Sequence, residues 1–339
     1  MGVLMTRSGL QSMHFSSTGL AVDGPTPAPR SLAFVDAVLR GIGQVMLQNN
    51  SYAGLVFLVG IFYHSTLYGL AVLVGTAIST ATALWLGLGR TQVRDGLFGF
   101  NGALVAIALL YFLQPDALTW AYVVFAAAVT TVLMAALLRL LATWQMPVLT
   151  APFVFTTLCF VLACARFGRL HSTQQLPTAG LPQGARVEGV VGMATVAEGL
   201  FNGIAQVFFQ GSVVTGVIFC VGLLVSSRRA CAAALLGSLV GLLVAWALGA
   251  AEPALRAGAF GFNPALTALA LCGVFLVPSA ASAAYGLLGA LTTAVVFAAV
   301  SAAFEPLGLP ALTLPFVLVT WVFVLASPLC ARLRGPGLP

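Results

Sequence analysis

The sequence predicts an all-α polytopic membrane protein: ten transmembrane helices plus two half-membrane re-entrant helices, arranged as two inverted five-span repeats. Three observations predict it. Hydrophobic residues make up 60% of the chain and charged residues only 6%, against roughly 25% charged in an ordinary soluble domain. Such a chain has too little polar surface to face water and belongs in a bilayer. The block Phe98-Gly-Phe-Asn-Gly-Ala-Leu-Val-Ala-Ile-Ala-Leu109 returns as Phe260-Gly-Phe-Asn-Pro-Ala-Leu-Thr-Ala-Leu-Ala-Leu271, 162 positions later. Each half holds five apolar runs, an odd number, so the second copy must enter the membrane from the opposite side.

The offset of 162 also lays Gly41-Ile-Gly-Gln-Val-Met-Leu-Gln48 on Gly203-Ile-Ala-Gln-Val-Phe-Phe-Gln210 and pairs Asp36 with Glu198. With one residue of slippage, Pro147-Val-Leu-Thr-Ala-Pro-Phe153 falls on Pro310-Ala-Leu-Thr-Leu-Pro-Phe316. Three collinear landmarks duplicate a whole structural unit, not a short solenoid repeat.

The polar N-terminal tail, 1–33, mixes Ser, Thr, Gly and Pro and lacks the apolar region of a cleavable signal, so it reads as mobile. The first repeat, 34–168, opens with a short apolar stretch over 36–49, led by Asp36 and interrupted by Arg40 and Gln44. About 14 helical residues reach roughly 21 Å into a hydrocarbon core of roughly 30 Å. With Gln48-Asn49-Asn50-Ser51 behind it, this stretch enters the membrane and turns back. Spans follow near 52–65, 67–88, 97–113, 119–142 and 147–165, separated by breaks such as Arg90 to Asp95 and Gln114-Pro-Asp116. A polar extracellular linker, 169–195, joins the halves. The second repeat, 196–330, has a short helix near 198–211 and spans near 213–226, 229–249, 259–277, 280–303 and 311–330. A short C-terminal tail, 331–339, closes the chain.

The net charge of +6 comes from fourteen arginines and no lysine, set mainly between apolar runs. No basic patch with interleaved aromatics occurs, so nucleic acid is not an expected partner and the charge reads as topology. With both termini cytoplasmic, Arg7, Arg30, Arg40, Arg90, Arg94, Arg139, Arg228, Arg229, Arg332 and Arg334 lie on or near that face. Arg166, Arg169, Arg186 and Arg256 lie outside, which fits the positive-inside rule. The six cysteines form no C-x-x-C pair and read as small hydrophobes. His14, His64 and His171 lack catalytic or metal partners in the sequence. Motifs such as H-E-x-x-H, G-x-S-x-G and a phosphate-binding glycine loop are missing, so neither enzyme chemistry nor a metal or cofactor is expected.

Polar residues inside the spans carry the function. Gln44 and Gln206 occupy equivalent places in the two short helices, where an unpaired amide in hydrocarbon costs several kcal/mol, so both must face protein or a cavity. Thr150 and Thr313 each stand two residues before a proline, near the start of the last span of each half. Pro152 and Pro315 can free a backbone carbonyl one turn upstream. Phe100 with Leu104, and Phe262 with Leu266, lie at i and i+4 on one helical face; such pairs form core or, in a symmetric pore, a flat dry slot. Asp36 and Glu198 read as caps of the short helices. Ionisable groups are scarce in the spans, which favours a passive route for a neutral solute over an ion-driven one.

Duplicated five-span halves, G-F-N-[GP]-A-L elements, re-entrant glutamines and T-x-P-F elements together resemble the urea transporter family over roughly residues 34–330. The resemblance implies a channel for facilitated diffusion of urea and possible small analogues. It further implies a homotrimer in the lipid of the plasma or inner membrane, with one pore per subunit. It implies a selectivity filter lined by Gln44, Val45, Phe100, Leu104 and Thr150 from one half. Gln206, Val207, Phe209, Phe262, Leu266 and Thr313 line the other. Leu47 departs from the aromatic that the family often places there, and Gln206 from the glutamate of some bacterial members. Asn263-Pro264-Ala265 spells the water-channel signature, but the first half has Asn101-Gly102-Ala103 and neither triplet is followed by arginine. A channel for ammonia or short-chain amides is the alternative within transport.

Overall fold

A computed structural model of the protein describes residues 19–20, 29–182, 184 and 187–335. The described chain is helical, with one isolated bridge between Leu113 and Ser172. Its first half contains α1 (Arg30–Gln44), α2 (Ser51–His64), α3 (Thr66–Trp85), α4 (Arg90–Arg94), α5 (Gly99–Phe112), α6 (Ala117–Leu141) and α7 (Ala151–Cys164). The second contains α8 (Met193–Ala205), α9 (Val213–Ser226), α10 (Arg228–Ala247), α11 (Glu252–Arg256), α12 (Phe262–Leu269), α13 (Ala280–Phe304) and α14 (Leu314–Ala326).

The bounds of α2, α3 and α4 recur in α9, α10 and α11 at the sequence offset of 162, and those of α6 recur in α13 at 163. The extra residue therefore sits in the loop before α13. There α12 runs on into a π turn, Ala270–Val274, before reaching Pro278. All ten apolar runs form helices, though several are shorter than expected: α7 starts at Ala151 and α12 at Phe262.

The protein is a polytopic membrane protein. Thr66–Trp85, Ala117–Trp144, Arg228–Ala247 and Ala280–Leu307 each have the length and apolarity to cross a bilayer. Met193–Phe208 and Val213–Ser226 reach that length only together, across a bend of 72°. Five further helices, Ser51–His64, Gly99–Phe112, Ala151–Cys164, Phe262–Val274 and Leu314–Leu329, are apolar and shorter. Val59, Phe125, Val132, Leu236, Val295 and Val322 project outward with more than half of their surface exposed. Facing water, that girdle would cost roughly 25 cal/mol per Å² of apolar surface; facing hydrocarbon it costs nothing.

The core lies where α5 and α12 run. Every residue of α5 except Tyr111 is buried, and so is α12 from Asn263 to Leu269. The halves meet along α2 and α9, and the contact is reciprocal. Phe57 of α2 lies where a side chain on Gly222 would be, and Phe219 of α9 lies where one on Gly60 would be. The two rings meet edge to face at 5.4 Å. Phe57 and Phe219 occupy equivalent positions, as do Gly60 and Gly222, so each copy presents the same knob and the same notch. That is the self-complementarity of a two-fold contact, here within one chain.

The expectation that the two carboxylates cap the short helices needs correction. Asp36 does not cap the first short helix, because α1 begins at Arg30 and Asp36 lies in its second turn, 0% exposed. Its carboxylate instead receives Arg40 Nε at 2.7 Å. Arg40 is thus the buried half of an ion pair. Glu198 likewise lies inside α8 and pairs with Arg256 at 3.0 Å. The mobile tail expected at 1–33 falls mostly outside the described residues. Of it, Leu20 donates its N–H to Asp36 Oδ1 at 2.7 Å, and α1 already starts at Arg30.

Because each notch holds the partner's ring, Gly222→Val should lower stability by about 1–3 kcal/mol, the usual range for overpacking. Gly60→Val should do the same. Thermal midpoints in detergent check this, and unchanged midpoints in both variants would show that the notch is not tight.

Candidate functional site

Each T-x-P-F element starts a helix and does not bend one, which corrects the expectation that its proline frees a carbonyl upstream. Thr150 is the N-cap residue of α7 with Pro152 in the first turn, and Thr313 stands the same way before Pro315 on α14. An N-cap threonine ordinarily turns its oxygen onto an N–H of the first turn. Neither does so here. Proline has no N–H to satisfy. The next donor, Phe153 N–H, goes to Asn101 Oδ1 at 3.0 Å, and its equivalent, Phe316 N–H, goes to Asn263 Oδ1 at 3.1 Å. The helix starts are capped from another helix, and both threonine hydroxyls are released. They meet each other: Thr150 Oγ1 and Thr313 Oγ1 lie 2.6 Å apart, and either can donate.

The same asparagines hold the backbone before the threonines. Asn101 Nδ2 donates to Leu149 O at 3.4 Å and Asn263 Nδ2 to Leu312 O at 3.0 Å. Leu149 and Leu312 have φ of 56° and 50°, a left-handed conformation that costs a bulky residue on the order of 1–3 kcal/mol. Trp321 of α14 adds a tie across the halves, donating Nε1–H to Pro147 O at 2.7 Å.

The two glutamines are placed alike. Gln44, the last residue of α1, donates Nε2–H to Asp95 O at 2.9 Å, and Gln206, just after α8, donates to Ala257 O at 3.2 Å. With each amide nitrogen directed at a carbonyl, each Oε1 remains an acceptor. Val45 and Val207 follow and are buried. Two residues further, Leu47 and Phe209 both turn left-handed at φ 59°. Phe209 stacks into a first-half aromatic group, with ring centroids 5.3 Å from Tyr111, 5.8 Å from Phe112 and 6.3 Å from Phe153.

A cavity of about 670 Å³ gathers the second-half set: Gln206, Val207, Phe209, Phe262 and Thr313 all line it. Leu266, one turn beyond Phe262, is 1% exposed and does not line it. The first-half residues Gln44, Val45, Phe100, Leu104 and Thr150 are buried and do not line this cavity. The two sets are joined through the Thr150 to Thr313 bond. Sequence reasoning missed Phe260 and Phe297, which line the cavity and pack edge to face at 5.2 Å, with Phe297 also 5.7 Å from Phe262. Phe260 opens the repeated block and so carried a signal. Phe297 carried none, because its first-half equivalent is Met134.

Near Gln206, Arg256 bridges Glu198 and Glu252 at 3.0 and 2.8 Å. The Thr195 hydroxyl, with Arg256 beside it, holds the Glu252 carboxyl below the usual carboxylate range. No charged side chain stands among the eleven sequence-predicted residues, and no hydroxyl, thiol or imidazole is activated by a neighbouring base there.

Asn101→Ala and Asn263→Ala should each lower stability by about 1–3 kcal/mol, because a buried N–H is left without a partner. A structure of either variant should show the threonine turned back onto its own helix. A threonine still facing its partner would show that the asparagine cap does not release it.

The family model described as Urea transporter matches residues 35–328. Urea transporter 1 of Ovis aries and of Capra hircus are each 32% identical to this chain over 303 residues, covering 88% of it and 78% of the relative. Urea transporter 1 of Rattus norvegicus is 31% identical over the same extent.

Proposed function

The chain belongs to the urea transporter family, a family of transporters and not enzymes, and from that premise we propose that it is a channel for facilitated diffusion of urea down its gradient. The path runs between residues 34–168 and 196–330, two inverted repeats of five spans, with α1 and α8 as half-membrane helices. The recurrence of helix bounds and the reciprocal contact of Phe57 and Phe219 support that symmetry. The protein assembles as a homotrimer with one pore per subunit, sits in the plasma or inner membrane, and keeps both termini cytoplasmic. The arginine distribution favours that orientation.

One observation carries the reading: acceptor oxygens are freed on both sides of one contact between the halves. Urea is planar, with four N–H donors in its plane and one carbonyl acceptor. Gln44 Oε1 and Gln206 Oε1 accept from it at the two mouths. In the middle the Thr150 to Thr313 bond opens, and each hydroxyl accepts a solute N–H or donates to its carbonyl. Phe100 and Leu104 press one flat face, and Phe262 and Leu266 press the other. Val45, Val207 and Phe209 keep the slot dry. Exchanging water for matched acceptors keeps the barrier low. An ion in the same slot loses its water and gains no countercharge.

Thr150→Val and Thr313→Val should each slow urea flux roughly 5- to 30-fold, as one lost hydroxyl raises the central barrier by about 1–2 kcal/mol. Stopped-flow light scattering of proteoliposomes measures this. Normal flux in both variants would remove the threonines from the mechanism. Comparing urea, thiourea, acetamide and ammonia in one preparation tests the solute itself, and a preparation that passes ammonia but not urea would refute the channel assigned here.

Urea flux should also be flat between about pH 6 and 8. The Glu252 pKa is depressed in the folded chain, so its ion pair is complete above the ordinary value of 4.5 and weakens only as pH falls through the lower, folded value. A step in flux near neutrality would implicate a titrating group in the path.

A further inference from the structure

The carbonyl that Gln44 holds is itself fixed by a chain of charged and amide groups that the second half lacks. Arg40 Nε donates to Asp36 Oδ2 at 2.7 Å, and Arg40 Nη1 donates to Asn49 Oδ1 at 2.7 Å. Asn49 Nδ2 then donates to Asp95 Oδ1 at 3.2 Å, and the backbone oxygen of Asp95 receives Gln44 Nε2 at 2.9 Å. Asn49 fits only one way round, since a reversed amide would set its NH₂ against the guanidinium and its oxygen against the carboxylate. At the far end, Leu20 N–H occupies the second oxygen of Asp36.

The equivalent positions in the second half are Glu198, Asn202, Gly211 and Ala257. None of Asn202, Gly211 or Ala257 can carry such a relay. Asn202 Nδ2 donates instead to the Arg256 carbonyl at 2.8 Å, and the bond from Gln206 to Ala257 is longer, at 3.2 Å. Glu198 and Arg256 are about half exposed where Asp36 and Arg40 are buried. A bond chain of buried and half-buried groups is stiffer than an exposed ion pair, which solvent screens.

We propose that Arg40, Asn49 and Asp95 are positioning residues for the Gln44 mouth: by fixing the Asp95 carbonyl they fix the Gln44 amide, so that its oxygen meets an arriving urea in one orientation. This rests on the channel reading above. It makes the two mouths unequal, with the Gln44 end binding urea more tightly than the Gln206 end.

The test is saturation of urea flux in proteoliposomes by wild type, Asp95→Ala, Asp95→Asn and Asn49→Gly. Alanine and glycine are the residues the second half carries at these positions, so the backbone there accepts them. Thermal midpoints equal to wild type check that the variants fold. Asp95→Ala and Asn49→Gly should raise the half-saturating urea concentration roughly 3- to 10-fold, the effect of loosening about one hydrogen bond. The maximal rate should hold. Asp95→Asn keeps an acceptor for Asn49 and should restore wild-type saturation. Unchanged half-saturation in Asp95→Ala alongside wild-type urea flux overturns the relay alone, as does equal impairment of Asp95→Asn and Asp95→Ala. Absence of urea flux in the wild type would bring down the channel reading and the relay with it.

Discussion

Asn101 reaches from α5 to cap α7, and Asn263 reaches from α12 to cap α14; the centre of the molecule depends on that exchange of partners. A helix start leaves N–H groups that must be satisfied, and in hydrocarbon there is no water to do it. If Thr150 and Thr313 capped their own helices, their oxygens would be occupied and the middle of the proposed passage would be bare hydrocarbon. Proline in the first turn removes one orphan donor and the asparagine satisfies another. The hydroxyls are then released from their own helix starts and meet each other. The two repeated motifs, G-F-N and T-x-P-F, are thus halves of one device, although about 50 residues separate them in each copy.

The same logic accounts for the left-handed residues. Non-helical backbone is tolerated at membrane depth only where protein or a polar cavity meets its groups. Leu149 and Leu312 turn the chain into the threonines, and Leu47 and Phe209 turn it out of the short helices. Each of these turns is tied down: the first pair by the asparagine amides, the second by hydrogen bonds such as Phe209 N–H to Gln206 O at 3.0 Å. Strain of this kind persists where surrounding contacts over-determine it, and it gathers at sites with work to do.

Much of this was legible in the sequence, and the remainder was not for identifiable reasons. Apolar runs and their breaks are local signals, so all ten runs became helices. The offset of 162 is a relation of the chain to itself, so Gln44 with Gln206 and Thr150 with Thr313 could be paired before any coordinates. Asp36 and Glu198 were misread as caps because a carboxylate near a helix start looks the same whether its partner is the backbone or an arginine. The partner that decides is Arg40 in one half and the distant Arg256 in the other. The cross-helix role of the asparagines was hidden for the same reason: Asn101 sits 52 residues from Phe153. Phe297 was invisible because duplication exposes only what both copies keep.

What the copies do not share carries its own information. A duplicated bundle needs agreement only where the halves touch each other or hold the same segment, as with Phe57 and Phe219, Gly60 and Gly222, or the two asparagines. Positions away from those contacts carry no such constraint and are free to diverge. Divergence is found there: a buried Asp36 to Arg40 pair relayed through Asn49 in one half, and in the other an Arg256 that joins a half-exposed Glu198 to a more buried Glu252. A passive passage requires neither symmetry nor asymmetry of its ends, so they can differ at no cost to the shared middle. Flux through the proposed channel balances at equal concentrations whatever each mouth holds, so the mouths can hold the solute with different strengths.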